Sequence, residues 1–340
     1  MSTTIKDIAK AADVSIATVS KVMNNHPSIS ETTRDKVLQI MNELEYHPNA
    51  RASNFAKKHS NNIVFLSITE DNTAFSNPHM FEILNGAQMK LHTKQYTLSF
   101  IGTQTKEQAY NETTRLINYQ IADGIIIHGS ATSKKLVSLL IQKNFPHIII
   151  GRPSFSTAAC WIDTNNHVSG ELATKYLLKC GYTKIAFMGG PFGDEISRHR
   201  LKGYRSTMEL NHCPIHESFI KYGAYTKQSG YLLMEELLHE CNMPEAVICE
   251  NNQMAMGAAN ALEKKGLKVP DDIAIITFND YPLSQLIDPP LTVVDINVNQ
   301  MGQTAAYLLL EKIKNKDFHV QSFSTLPTLI ERSSTKFVKK

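Results

Sequence analysis

Apolar positions along this chain change their rhythm near residue 60. Before it they recur every three or four residues. After it, short apolar runs alternate with longer amphipathic stretches. Ile5, Ile8, Ala9 and Ala12 mark a first helix. It is opened by Thr4-Ile-Lys-Asp7, a start signal in which the threonine hydroxyl can accept from a free amide. Asp13-Val14-Ser15 interrupts that stripe, and Ser15 can cap a second helix bearing Val19, Val22 and Met23. Asn24-Asn25-His26-Pro27 breaks the pattern, and Ser30 with Glu31 then opens a third helix with Val37, Leu38, Met41 and Leu44 turned inward. Three short helices with a tight turn between the first two have the layout of a helix-turn-helix.

Tyr46-His47-Pro48 ends the third helix. The polar segment from Asn49 to Lys58 holds one large apolar residue, Phe55. It cannot bury a face by itself, so it is a linker or a helix that forms only against a partner. Beyond Asn62 the pattern predicts strands at Ile63–Ile68, Thr97–Ile101, Gly124–His128, His147–Ile150, Lys184–Met188, Phe219–Tyr222, Ala246–Cys249, Ile273–Thr277 and Thr292–Ile296. Helices are predicted near 79–94, 107–119, 134–144, 167–180, 198–211, 226–240, 252–265 and 299–314. Such alternation implies parallel sheets covered by helices on both faces, and the length of this region implies two sheets. The expected fold is therefore α/β: a helix-turn-helix head followed by doubly wound lobes.

Composition narrows the function classes. Hydrophobic residues make up 42% and charged residues 20%, which excludes a disordered chain. The longest apolar run, Ala305–Leu310, is far too short to span a bilayer, so no membrane partner is expected. No secretory signal pattern opens the chain. Cys160, Cys180, Cys213, Cys241 and Cys249 are odd in number, widely spaced and form no C-x-x-C pair, which fits buried thiols in a reduced cytoplasmic compartment. Net charge is +3, and residues 1–60 carry 8 Lys/Arg against 6 Asp/Glu. That balance permits a nucleic-acid partner without requiring one.

The run Thr4-Ile-Lys-Asp-Ile-Ala-Lys-Ala-Ala-Asp-Val-Ser-Ile-Ala-Thr-Val-Ser-Lys-Val-Met-Asn24, then Ser30-Glu-Thr-Thr-Arg-Asp-Lys-Val37 and Leu44-Glu-Tyr-His-Pro-Asn49, strongly resembles the head of the LacI (lactose repressor) family of bacterial transcription regulators. Ser76-Asn-Pro, Asp163-Thr-Asn-Asn, Gly181-Tyr-Thr-Lys-Ile-Ala-Phe, His199-Arg-Leu-Lys-Gly-Tyr, Asn251-Asn-Gln-Met-Ala-Met-Gly, Val269-Pro-Asp-Asp-Ile and Pro289-Pro-Leu-Thr follow in family order. The resemblance reaches about Arg332. It implies a head over 1–48, a hinge over 49–60 and a periplasmic-binding-protein-like core over 61–332. The expected N-lobe covers about 61–160 and 291–322, the C-lobe about 161–290 and 323–332, and a tail the rest. The chain would cross between lobes three times, with a ligand held in the cleft.

In a helix-turn-helix the second helix enters the major groove, and its exposed N-terminal residues meet base edges. Here those residues are Ser15, Ile16, Ala17, Ser20 and Lys21. The resemblance maps base reading to Ile16, Ala17 and Lys21. The first two can read only apolar features such as a thymine methyl, whereas Lys21 can donate to guanine. Phosphate contacts would fall to Thr4, Ser15, Thr18, Asn24, Ser30 and Thr33. Outside the motif, Thr4 and Ser15 would read simply as caps and Lys21 as a solvated lysine. Asn49, Ala52 and Phe55 lie in the implied hinge, where the family wedges a leucine into the minor groove. Phe55 stands at that position here and can serve the same role, or pack on the core.

For the cleft, the resemblance points to Arg200, whose planar fork of donors suits adjacent sugar hydroxyls, against the alternative of a surface ion pair. Asn251 and Asn279 match polar positions at strand ends, where open sheets bind ligands. The family often has aspartate where Asn279 stands. Asp71, Phe75 and Asn165 are further cleft candidates or ordinary loop residues. Trp161, the single tryptophan, can stack on a sugar or pack in the core. This mixture favours a neutral polyhydroxyl effector over a nucleobase, and two of the segments look most like regulators of maltose and other α-glucosides.

The implied function is a repressor of carbohydrate-utilisation genes that binds a palindromic operator as a homodimer under control of a small sugar. Alternatives are a cytosolic small-molecule-binding protein, and a purine-type corepressor-dependent or phosphoprotein-coregulated regulator. An enzyme is not expected, because G-x-G-x-x-G, the P-loop, G-x-S-x-G and H-E-x-x-H patterns are missing. No cofactor or metal is expected either: His212, Cys213 and His216 have ligand chemistry, but Pro214 argues for a solvated turn.

Overall fold

The computed structural model describes residues 3–23, 25–46, 59–69, 78–315, 317, 318, 320 and 322–337. They form two compact units, Met1–Asn61 and Asn62–Lys340.

The first unit holds α1 (Ile5–Ala12), α2 (Ile16–Met23) and α3 (Glu31–Glu43). Each start is capped by side chains. Thr4 donates through both its amide and its hydroxyl to the Asp7 carboxylate, which those bonds hold below its ordinary pKa. Ser15 Oγ accepts from the Thr18 amide at 3.0 Å, and Ser30 Oγ accepts from the Thr33 amide. Ile8, Ala9, Ala12, Val19, Val22, Val37 and Met41 form the small core. Leu38 and Leu44, expected to face inward, are exposed. Leu38 stands about 100° around α3 from Val37 and so leaves the Val37/Met41 stripe, while Leu44 only caps the helix.

The second unit contains two six-stranded sheets. The first uses β1 (Asn62–Ile68), β2 (Thr97–Thr103), β3 (Gly124–His128), β4 (His147–Ile150), β5 (Trp161–Thr164) and β11 (Ser322–Thr325), in the order β11-β5-β4-β3-β1-β2. The second uses β6 (Ile185–Gly189), β7 (Ile220–Tyr222), β8 (Ala246–Cys249), β9 (Ala274–Phe278), β10 (Thr292–Asp295) and β12 (Thr328–Ile330), in the order β12-β10-β9-β8-β6-β7. Only the β10–β12 pairing is antiparallel. Helices cover them: α4 (Pro78–His92), α5 (Lys106–Asn118), α6 (Lys134–Gln142), α7 (Asn166–Cys180), α8 (Glu195–Leu210), α9 (Lys227–Leu238), α10 (Asn252–Lys264), the short α11 (Pro282–Leu286) and α12 (Val298–Lys314). The expected α/β architecture is borne out.

The chain crosses between the sheets three times, each a few residues later than expected. Trp161–Thr164 pairs with β4 in the first sheet, Thr292–Asp295 with β9 in the second, and Ser322–Thr325 with β5 in the first. Lobe boundaries at 160/161, 290/291 and 322/323 are corrected accordingly. β5, β11 and β12 were not predicted because three- and four-residue strands such as Ser-Phe-Ser-Thr carry no apolar run. Among the described residues no helix is long and apolar enough to cross a membrane.

Candidate nucleic-acid interface and ligand cleft

On α2, Val19 and Val22 point into the three-helix core, leaving Ser15, Ile16, Ala17 and Lys21 exposed and Thr18 and Ser20 half-buried. Ile16 keeps 45% of its surface in solvent, an outlay of apolar area that suits a contact surface. Arg34 braces the turn before α3, donating to Asn25 Oδ1 at 2.6 Å and to the His26 carbonyl at 3.1 Å. Thr4, Ser30 and Thr33 sit at helix starts, where free amides favour anions. Asn24, Asn49, Ala52 and Phe55 lie outside the described residues.

In each lobe the strand order reverses once near its middle: beside β1 and β3 in the first sheet, beside β6 and β8 in the second. At such a switch point the connections leave on opposite faces and open a crevice at the carboxyl ends of the strands. The polar side chains of the core gather there.

Arg200 projects from the second turn of α8. Its backbone is pressed on α7: a Cβ on Gly170 would meet the Arg200 carbonyl at 2.0 Å, so glycine permits the close helix approach that sets the arginine. Arg200 is 4% exposed. Its Nε donates to Asn166 Oδ1 at 3.2 Å, and its Nη1 donates to the Glu250 carbonyl at 3.2 Å and to Glu250 Oε1 at 2.9 Å. The guanidinium carbon lies 3.8 Å from the Phe278 ring centroid. Arg200 is thus a buried, paired cation, and the surface ion pair weighed against it is ruled out.

Glu250 follows β8 directly. Burial pushes its carboxyl up to about 7, reinforced by Asp194 and opposed by Arg200 and by the neighbouring Ser197 hydroxyl. Its second oxygen has no hydrogen-bond partner among the described residues. Asn251 caps α10, accepting from the Met254 amide at 2.8 Å and donating to the Tyr225 carbonyl at 3.2 Å. Asn252 donates to the carbonyls of Phe278 and Asn279, which holds Asn279 in a left-handed conformation (φ 69°). The side-chain oxygens of Asn252 and Asn279 are buried without a hydrogen-bond partner among the described residues. Tyr225 stands against the backbone of Gly190, where any Cβ would strike its ring.

The first lobe contributes His128 at the end of β3 and His79 at the start of α4. Their ring centroids are 6.3 Å apart. His128 Nδ1 is 2.9 Å from Ser130 Oγ, which also accepts from the Ile68 amide. Burial holds His128 down to about 4. Burial, His128 and Arg200 together hold His79 down to about 3. His79 Nδ1 bonds the Tyr281 hydroxyl at 2.9 Å across the cleft. Asp163, at the end of β5, accepts from the Arg152 and Thr164 amides, and burial raises its carboxyl.

Of the residues expected in the cleft, Arg200, Asn251 and Asn279 come together. Asn165 caps α7, with Oδ1 accepting from the Val168 amide at 3.2 Å. Trp161 is half-buried and packs on Val137, Ile149 and Ala159 under the Arg152 guanidinium. Asp71 and Phe75 lie outside the described residues. Sequence reasoning missed His79, His128, Tyr225, Glu250 and Tyr281. His128 and Glu250 had a usable signal, each being a titratable residue at the carboxyl end of a predicted strand. Among the described residues no group of three or more His, Cys, Asp or Glu is placed to hold a metal.

Residues 4–49 match the bacterial regulatory proteins of the lacI family, and residues 174–335 match the periplasmic binding protein-like domain. The HTH-type transcriptional repressor PurR of Haemophilus influenzae (strain PittEE) is 32% identical over 340 residues, covering 98% of this chain and 99% of that protein. The transcriptional regulator CelR in complex with cellobiose is similar at a TM-score of 0.73 and 25% identity, over 98% of this chain and 99% of the other. The Lac repressor dimer bound to operator and the anti-inducer ONPF shares the fold at a TM-score of 0.84 and 24% identity, over 99% of this chain and all of that one.

Proposed function

The chain belongs to the LacI family and is a transcriptional regulator with a ligand-binding domain, and we propose that it represses carbohydrate-utilisation genes under the control of a small sugar held between its lobes. The observation that carries the sugar reading is the balance of the cleft. Its one deeply buried cation among the described residues, Arg200, is paired with Glu250, and around them stand amides, a tyrosine hydroxyl and aromatic rings. That set suits an uncharged ligand with many hydroxyls. The cellobiose complex of CelR, similar over nearly the whole chain, supports the same class.

In this reading α2 enters the major groove of a palindromic operator, Ile16, Ala17 and Lys21 meet base edges, and Thr4, Ser15, Thr18, Asn24, Ser30 and Thr33 hold phosphates. Ser20 adds to the base-facing surface, and Asn49, Ala52 and Phe55 act in the hinge. One head reads half a palindrome, so the working unit is a two-fold dimer. The regulator acts in the cytoplasm, where its operator is, and needs no cofactor.

The test is a thermal-shift screen of the full chain against mono- and disaccharides, with hypoxanthine and guanine as purine arms. Titration of an operator fragment follows, with and without each hit. A saccharide that shifts the core and changes operator affinity supports the reading. A purine that does so in place of every saccharide overturns its sugar half.

A further inference from the structure

The wall of the cleft at the second switch point is built from hydrogen-bond acceptors. Glu250 sits at the carboxyl end of β8 with 2% of its surface exposed. Arg200 takes Oε1 and leaves Oε2 with no hydrogen bond to the described residues. The buried side-chain oxygens of Asn252 and Asn279 also have no partner among the described residues, and Asn252 Nδ2 ties the two asparagines together through the Asn279 carbonyl at 3.0 Å. A buried acceptor left unpaired costs free energy that a ligand recovers by donating to it.

The charge of this wall points the same way. Arg200 is the buried cation, while Glu250, Asp194 and Asp163 all lie within electrostatic reach of it or of one another. The cation is already spent on Glu250, so a ligand meets a surface that is acceptor-rich and short of positive charge. A phosphate or carboxylate brought to it would add negative charge beside Glu250, Asp194 and Asp163, where the buried counter-charge among the described residues is the Arg200 already bonded to Glu250.

We propose that Glu250 determines specificity in this cleft: its free carboxylate oxygen receives a hydroxyl of the effector and thereby selects an unphosphorylated sugar over the corresponding sugar phosphate. The inference rests on the sugar reading above and sharpens it to a ligand class. Asn252 and Asn279 receive neighbouring hydroxyls, so the favoured ligand presents at least two adjacent donors to this wall. Arg200 acts on the ligand partly through Glu250, whose first oxygen it holds in place.

The experiment uses the full-length wild type and Glu250→Gln. Glutamine keeps an oxygen for Arg200 and replaces the free acceptor with an amide donor. Isothermal titration is run with cellobiose, maltose, glucose and ribose, with glucose 6-phosphate and ribose 5-phosphate, and with the deoxy analogues of whichever sugar binds. The expected result is wild-type binding of a neutral sugar at least tenfold tighter than its phosphate. Glu250→Gln should lose at least tenfold for the neutral sugar, and one deoxy analogue should be indifferent to the substitution because it lacks the hydroxyl concerned. The deoxy series on wild type keeps the proposal testable if Glu250→Gln does not fold, since one missing hydroxyl must then account for the same loss.

A phosphate that binds as tightly as its sugar overturns the proposal and leaves the sugar reading standing. So does a deoxy series in which no single hydroxyl matters. Failure of every sugar and sugar phosphate overturns both.

Discussion

The hydroxyl of Tyr281 and Nδ1 of His79 lie 2.9 Å apart, in different lobes and 202 residues apart in sequence. Burial raises the tyrosine above its ordinary value, so its hydroxyl keeps its proton, and the depressed histidine is neutral at pH 7. Both groups are thus neutral, and which of them donates follows the tautomer of His79. Tyr281 is 7% exposed and packs in the first lobe's core beside Met80 and Val298, although it follows a strand of the second sheet. A residue of one lobe is thus fastened into the other at the mouth of the cleft.

Tyr281→Phe keeps the ring in its packing and removes the hydroxyl's bond to His79 together with its hydrogen bond to the Asn279 side chain. A neutral hydrogen bond contributes about 0.5–1.5 kcal/mol net, so the core should lose stability by that order in denaturant melts. The bond also biases how the lobes stand toward each other, and a ligand shifts such an equilibrium only through its differential affinity for the states. The effector-induced change in operator affinity should therefore differ between wild type and Tyr281→Phe. An unchanged response together with unchanged stability would reduce the contact to an incidental one.

The two cleft histidines give the core a definite acid sensitivity. Both are held below the ordinary value of 6.5, His79 to about 3 and His128 to about 4. The unfolded chain takes up protons that the folded chain refuses. The stability involved is whole above pH 6.5 and is lost as pH falls toward 4, at up to about 1.4 kcal/mol per pH unit for each histidine. The melting temperature of the full chain should fall steadily between pH 6.5 and 4.5. His128→Asn, which retains a side-chain partner for Ser130, should flatten that slope. A slope equal in wild type and variant would show that His128 titrates normally.

Much of the fold was legible because its helices and strands are strongly patterned. Gly124–His128, His147–Ile150 and Ala246–Cys249 occupy the predicted positions, each being a short buried apolar run bordered at one end by a polar residue. The lobe crossings were harder, since β5 and β11 are short and half polar and owe their place to pairing with a neighbour. The cleft was legible only where a motif marked it. Arg200 and Asn251 stood in recognisable segments, but nothing in a linear chain joins His79 to Tyr281 or Arg200 to Glu250. Trp161 has chemistry that suits a sugar, and only the structure shows that its place on β5 also packs it against Val137, Ile149 and Ala159.

Arg200 and Glu250 are both almost fully buried, so removing one partner should cost more than removing both. Leaving a buried charge unpaired costs about 3–5 kcal/mol, while replacing the whole pair with apolar side chains is often nearly neutral. Arg200→Met should lower the unfolding midpoint sharply and Arg200→Met/Glu250→Leu should recover most of it. The arginine also holds the Glu250 pKa down, so without it that pKa rises further. A carboxyl raised in the folded state loses stability as pH climbs through the unfolded value of 4.5 toward the folded one. The single variant's deficit should therefore be larger at pH 8 than at pH 5.5. A double variant no more stable than Arg200→Met would refute the coupling.

Lys21 is the hydrogen-bonding group best placed among the three residues proposed to read bases. It is exposed on the outer face of α2, four residues after Ala17, while Val22 beside it is buried in the head. Its removal should leave the fold of the head intact, which a thermal melt of the full chain can check. If the ammonium donates to a guanine edge, Lys21→Ala should reduce discrimination at one base position by about 1–3 kcal/mol and leave preferences elsewhere untouched. If it holds only a phosphate, the same change should weaken all sequences alike and reduce the dependence of log affinity on log salt by about one. Competition titrations against an operator mutated one position at a time, repeated at two salt concentrations, separate the outcomes. Specificity unaltered at every position removes Lys21 from base readout and leaves Ile16 and Ala17, which can recognise only apolar features, to carry it.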